Sequence, residues 1–204
     1  MKSINNSLAL ISTLAAAVLA TPSFADDDGP WLIRGGVVNV DPKSDNGRVS
    51  VGDVTIDNRL GPSVELTYFF APQWAVNVLG ALPFEHSISI NGGRAGTAKH
   101  LPPTVTLQHH FMTQGRIRPY AGVGLNYTMF GDEQLDGGGE LKLEDSVGIS
   151  LQAGVDVMVG DSGWLVGADV RYMDIDTDAS VNGADIGTVE IDPLVYGVTI
   201  GRRL

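Results

Sequence analysis

From Ser146 to Val159 the chain reads Ser-Val-Gly-Ile-Ser-Leu-Gln-Ala-Gly-Val-Asp-Val-Met-Val. Val147, Ile149, Leu151, Ala153, Val155, Val157 and Val159 fall on one parity. Ser146, Gly148, Ser150, Gln152, Gly154, Asp156 and Met158 fall on the other. A period of two marks a β-strand whose two faces meet different surroundings. The apolar face is too long for most soluble strands and suits one crossing a bilayer at a tilt, which takes ~9–11 residues. The other face is small and polar and carries a carboxylate. The pattern predicts a strand that is apolar outside and polar inside, as in a transmembrane β-barrel.

The same period predicts eight strands: Trp31–Val40, Asp57–Phe70, Trp74–Leu82, Pro103–Phe111, Ile117–Phe130, Ser146–Val159, Trp164–Asp174 and Glu190–Leu204. The connections at Ala71–Gln73, Met112–Arg116 and Gly160–Gly163 are short. Those at Asp41–Ile56, Pro83–Pro102, Gly131–Asp145 and Ile175–Val189 are long and rich in Gly, Asp and Asn. An even number of strands with short turns at one rim and long loops at the other predicts an all-β, eight-stranded antiparallel outer-membrane barrel with periplasmic turns and extracellular loops. Both termini then lie in the periplasm. Trp31, Trp74 and Trp164, with Phe69, Phe70 and Phe111, are expected at the periplasmic rim; Tyr127, Phe130, Tyr172 and Phe84 are expected to form the other aromatic belt.

A soluble lipocalin-like barrel also has eight strands but turns its apolar faces inward around a ligand. Charge decides between the two. Arg34, Glu65, Arg118, Asp156, Asp169, Arg171 and Arg203 all lie on the parity opposite the apolar runs. An Arg facing lipid at the midplane costs ~2–4 kcal/mol, whereas charges of both signs around a narrow lumen pair and plug it.

The N-terminus supplies a route to the membrane. Lys2, the apolar run Leu8–Ala20 and the small residues at Ser23 and Ala25 fit a signal peptide cleaved after Ala25. That leaves residues 26–204 as one barrel domain. The run is shorter than the ~20 residues of a transmembrane helix. The absence of Cys suits a bacterial envelope protein stabilised by ladder closure and lipid, not disulfides. A formal charge of −11 argues against nucleic acid as a partner.

Proline cannot donate to a ladder, and Pro62, Pro83, Pro102, Pro103 and Pro193 all fall near the expected extracellular strand ends. Two readings remain open. Proline there simply punctuates the strand ends, or the wall has a gap through which a passenger leaves sideways into lipid. Leu60, Leu82, Phe84, Leu101 and Leu194 lie at the same level and are expected to line such an exit.

These positions carry a family likeness. Leu82-Pro83-Phe84-Glu85-His86, His100-Leu101-Pro102-Pro103-Thr104, Arg118 to Thr128, Tyr172 to Thr177 and Asp192-Pro193 together resemble the OmpW (AlkL-like) outer-membrane family. The resemblance spans nearly all the mature chain. It implies a hydrophobic channel opening through the barrel wall, for passive uptake of small hydrophobic molecules across the lipopolysaccharide layer. On that likeness Leu60, Phe84, Leu101 and Met173 line the channel. Its partners are then outer-membrane lipid and lipopolysaccharide, small hydrophobic solutes and the barrel-assembly machinery. Members of this family usually end in an aromatic that this machinery reads, whereas this chain ends Gly201-Arg202-Arg203-Leu204.

Eight-stranded barrels also include enzymes, whose chemistry needs a nucleophile with a His as base. His86, His100, His109 and His110 are the candidates, and no Ser sits beside either pair on a strand. They read as polar rim residues; no catalytic residue, metal or cofactor is expected. The alternative to a channel is a plugged structural or recognition barrel whose long loops bind host, phage or other envelope components.

Overall fold

The computed structural model describes residues 29–204. The expected signal peptide, residues 1–25, lies outside the described residues. Every regular element among them is a strand. In chain order these are β1 Trp31–Asp41, β2 Arg48–Val49, β3 Gly52–Ile56, β4 Arg59–Ala71, β5 Trp74–Ala81, β6 Phe84–Ile90, β7 Gly93–Leu101 and β8 Thr104–His110. They continue with β9 Ile117–Leu135, β10 Leu141–Leu143, β11 Ser146–Val159, β12 Trp164–Met173, β13 Asp176–Val181, β14 Ala184–Glu190 and β15 Leu194–Arg203.

Eight of them close into a ring in the order β1, β4, β5, β8, β9, β11, β12, β15 and back to β1, every pairing antiparallel. Closure leaves no edge strand exposed. The seam between the first and last strands runs from Leu32↔Arg203 to Asp41↔Leu194.

Burial is inverted relative to a soluble barrel. Val147, Ile149, Leu151, Val157 and Val159 of β11 are exposed, as are Val123 and Leu125 of β9 and Val198 and Ile200 of β15. Thr67, Asn77, Thr106, Gln108, Asn126 and Ser150 are buried in the lumen. A continuous exposed aliphatic belt of this kind is a liability in water and the expected face toward lipid. The soluble alternative is thereby excluded.

Trp74, Trp164, Phe70 and Phe111 stand exposed at the short-turn rim, and Trp31 packs on Tyr68 with centroids 4.6 Å apart. Tyr127, Tyr172 and Tyr196 face outward at the other end. Two aromatics expected in that belt do not belong to it: Phe84 is buried and Phe130 is only partly exposed, and both pack inward in the apolar core at that same end. Phe69 is likewise buried inside the barrel end.

The expected long loops are largely strands. Above the ring, β3, β6, β7 and the upper part of β9 form one sheet, and β10, β13 and β14 form another. Asn91-Gly92 joins β6 to β7 and Asn182-Gly183 joins β13 to β14, all four with positive φ (51°, 78°, 52° and 80°). These are the dihedrals of a type I′ turn, whose twist matches two antiparallel strands. The result is a folded collar with its own apolar core, including Val54, Phe84, Met173, Ile175, Ala179 and Val189. The interior is thus layered: apolar collar, polar midsection, and a small apolar cluster of Leu32, Phe69, Ala75, Met158 and Leu165 at the short-turn rim.

Candidate functional site: an apolar chamber above a charged plug

The midsection is held by charge. Strand parity turns Arg34 of β1, Glu65 of β4, Asp156 of β11 and Arg171 of β12 into the lumen, where all four are buried. Arg34 pairs with Asp156 through Nη2 and donates through Nη1 to Thr67 Oγ1 at 3.0 Å. Arg171 Nη2 lies 2.9 Å from Glu65 Oε2, and its Nε donates to Asp169 Oδ2 at 3.0 Å. Asn77 donates to Glu65 at 2.9 Å, Gln152 to Asp169 at 2.9 Å, and Gln108 to Gln152 at 2.8 Å. Each of these charges regains an opposite charge and a hydrogen bond, which offsets part of its desolvation, while Arg34 Nε, Asp156 Oδ1 and Arg171 Nη1 stay buried without a partner.

Of the seven residues expected in the plug, Arg34, Glu65, Asp156, Asp169 and Arg171 are joined in this way. Arg118 and Arg203 stand lower, near the strand ends at the short-turn rim. Arg118 donates to the Gly115 carbonyl in the turn before β9. Arg203 lies over the Phe69 ring at 4.1 Å and donates to Gly29. Parity identified both as inward, but height in the barrel depends on distance from the strand end, and both lie within two residues of one.

Above the plug the collar encloses a cavity of about 80 Å³, walled by aliphatic side chains such as Val54, Ile88, Ala98, Leu141, Ala179 and Val189. Among the described residues, only His86, His100 and Thr177 bring polar side chains to it. His86 and His100 are buried and stacked, with centroids 4.7 Å apart and planes at 19°. The β6–β7 register explains the contact: His86 sits opposite Ala98 and His100 opposite Phe84, which makes the imidazoles diagonal neighbours. They are therefore not the polar rim residues expected. Burial lowers the pKa of both; that of His100 is pushed down to about 3 by burial and then by the nearby His86. His109 belongs to the rim, edge-on to Trp74 at 4.7 Å, while His110 stacks on Tyr120 inside the barrel at 5.0 Å. His86 is held by the Asp57 carbonyl and His110 by Gln108 Oε1, not by a Ser hydroxyl.

The residues expected along a lateral exit divide between the two faces of the wall. Phe84 (5% exposed) and Met173 (1%) are inside, and Leu101 is half-buried. Leu60 (69%), Leu82 (65%) and Leu194 (49%) face outward with the lipid belt. Period two is the reason: Leu60 shares the outward parity of Val64 and Leu66. These leucines flank any opening on its membrane side and do not line its interior.

The strand ladders of the wall are interrupted at this level. The β4–β5 ladder stops at Ser63↔Ala81 and the β5–β8 ladder at Leu79↔Thr104. Pro62 and Pro83 are exposed, Pro102 is buried, and the chain resumes pairing only at Phe84↔His100 of β6–β7. Among the described residues no ladder joins β4 residues 59–62 to β6. Instead Arg59 Nε donates to the Glu85 carbonyl at 2.7 Å, and the Phe84 ring packs so closely that a Cβ on Gly61 would lie 2.3 Å from its Cε1.

The chain is similar to known proteins. The crystal structure of the outer membrane protein OprG from Pseudomonas aeruginosa superimposes with a TM-score of 0.77 at 34% identity, covering 87% of this chain and 96% of that one. Outer membrane protein W of Vibrio cholerae is 36% identical over 206 residues, covering 92% of this chain and 94% of the relative. The dibenzothiophene metabolism operon protein PahQ of Pseudomonas aeruginosa is 27% identical over 201 residues, covering 91% and 93%. The sequence profile of the OmpW family matches residues 27–204. An inverted eight-stranded barrel with this profile along its whole described length belongs to the OmpW family of outer-membrane proteins.

Proposed function

We propose that this barrel is a passive conduit for small hydrophobic molecules, entered through the collar and left sideways through the wall between β4 and β6. The observation that carries the reading is an almost wholly aliphatic chamber in the collar above a paired, hydrogen-bonded polar layer. An apolar molecule gains by leaving water for the chamber and would have to desolvate the charge pairs to continue down the axis, so the axial path is closed to it. The unladdered stretch beside Pro62, Pro83 and Pro102 offers the alternative route, bordered on its outer side by Leu60 and Leu82. The kinship with PahQ, whose name ties it to dibenzothiophene metabolism, supports an aromatic passenger. The cavity is smaller than the ~150 Å³ that takes up benzene in a rigid core, so an aromatic passenger must displace collar side chains as it enters.

The same reading makes residues 1–25 a cleaved signal peptide, lipopolysaccharide the neighbour of the collar, and the barrel-assembly machinery the agent of insertion. No residue in it has a catalytic role. The test is uptake of a small alkane or monoterpene by cells with and without the protein, alongside Ala98→Phe, which fills the chamber, and Val147→Ala, which alters only the lipid face. Conduction is expected to fall with Ala98→Phe alone. Equal uptake in all four strains would leave a plugged recognition barrel as the remaining reading.

A further inference from the structure

The chamber has a polar point whose hydrogen-bonding capacity is unused. Of its three polar side chains, Thr177 donates its hydroxyl to the Glu144 carbonyl at 2.7 Å. His86 Nδ1 lies 2.6 Å from the Asp57 carbonyl oxygen. A carbonyl only accepts, so Nδ1 holds the proton and Nε2 of the neutral ring is left as an acceptor. The Nε2 atoms of His86 and His100 are both buried without a hydrogen-bond partner, and no hydrogen bond among the described residues fixes the tautomer of His100. Burial keeps the rings neutral, as their lowered pKa values indicate. A buried acceptor without a donor is destabilising until one arrives. Two phenylalanines flank the pair, Phe84 at 5.9 Å and Phe130 at 6.1 Å from His100, centroid to centroid, and Phe130 also lines the chamber.

We propose that His86 and His100 form a polar recognition point that makes the chamber select small aromatic molecules bearing one hydroxyl, the phenols, over hydrocarbons of the same outline. The hydroxyl donates to His86 Nε2, its oxygen can accept from the neutral Nε2–H tautomer of His100, and the ring rests between Phe130 and the aliphatic wall. A hydrocarbon enters the same space but leaves the imidazole nitrogens unmatched. This inference rests on the chamber being the entry site of the conduit.

The experiment uses the protein in phosphatidylcholine nanodiscs, with ¹⁵N-labelled histidine and methyl-labelled alanine. It is titrated with p-cresol and with p-xylene, which has a methyl in place of the hydroxyl. The expected result is that p-cresol binds roughly three- to tenfold more tightly, as one net neutral hydrogen bond allows. The His86 Nε2 resonance moves with p-cresol only. His86→Phe keeps an aromatic ring, removes the nitrogen and erases the preference while p-xylene still binds. Equal affinity for the two molecules in the unaltered protein overturns the proposal without recourse to any variant. So does a p-cresol preference that survives both His86→Phe and His100→Phe. If neither molecule perturbs the Ala98 and Ala179 methyls, the conduit reading itself fails and takes this proposal with it.

Discussion

Arg171 Nη2 lies 2.9 Å from Glu65 Oε2, each side chain 1% exposed. The two residues come from β12 and β4, three places apart around the ring, so the contact spans the lumen. Glu65 also stands 3.8 Å from Arg34 Nη1. Glu65→Ala therefore takes a shared negative charge from two buried guanidinium groups and is expected to cost ~3–5 kcal/mol, the range for breaking one partner of a buried pair. Urea titration of the vesicle-inserted barrel reads this directly. Replacing Glu65 and Arg171 together by Leu and Met is expected to cost less than Glu65→Ala alone; a strictly additive double variant would show that the pair is not coupled.

Restoring ladder donors at the weak part of the wall should separate transport from stability. Pro83→Val with Pro102→Val supplies two N–H groups where β5–β6 and β7–β8 bend. Hydrocarbon uptake by intact cells is expected to fall, while the thermal shift between folded and unfolded gel bands stays the same or rises. Undiminished uptake would move the exit elsewhere.

Gly124 of β9 sits between Thr106 of β8 and Ser150 of β11. A Cβ there would lie 2.2 Å from the Val105 carbonyl oxygen and 2.8 Å from the Thr106 Cα. Both atoms are backbone and cannot rotate away. Gly124→Val is expected to destabilise the barrel by at least ~1–3 kcal/mol through overpacking, visible as a reduced refolding yield in vesicles. Gly35→Val, which meets nothing within 4 Å, is the control.

The collar should loosen in acid. His100 has a folded pKa of about 3, set by burial and by His86, against ~6.5 in an unfolded chain. Above pH ~6.5 neither state is protonated there and the residue contributes nothing to pH dependence. As pH falls from ~6.5 toward 3 the opened state takes up a proton that the closed state refuses, so closure weakens progressively. His86 acts in the same direction, with Asp57 opposing and Arg59 reinforcing the effect. Amide exchange in β6 and β7, corrected for intrinsic pH dependence, is expected to quicken over this range while β11 does not. The slope should be smaller in His100→Phe.

The barrel was legible in the sequence wherever a strand divides lipid from lumen. β11 was read at Ser146–Val159, and the parity of Arg34, Glu65, Asp156 and Arg171 was enough to place them inward. The collar was not legible, because its strands have no lipid face. Ser87–Ile90 and Gly93–Ala98 carry no long apolar parity, and their Gly and Asn content reads as loop. The missed signal was local: Asn91-Gly92 and Asn182-Gly183 are the dipeptides a type I′ hairpin requires. Missing the hairpins also hid the chamber, and with it the burial of His86 and His100. Leu60, Leu82 and Leu194 were grouped with Phe84 by height alone, whereas their parity already assigned them to the other face.

The seam from Leu32↔Arg203 to Asp41↔Leu194 joins the first strand of the barrel to the last, and Trp31 and Leu204 exchange backbone hydrogen bonds at its foot. No earlier hairpin can substitute for that pairing. Until β15 arrives, β1 and β12 each present an open row of donors and acceptors. Arg34 and Asp156 also remain on separate arms of an unclosed sheet. The cylinder therefore cannot be completed progressively during synthesis. Its circumference, its lumen and its lipid-facing surface become final in a single late event, and any factor that escorts the chain must mask two raw edges until then.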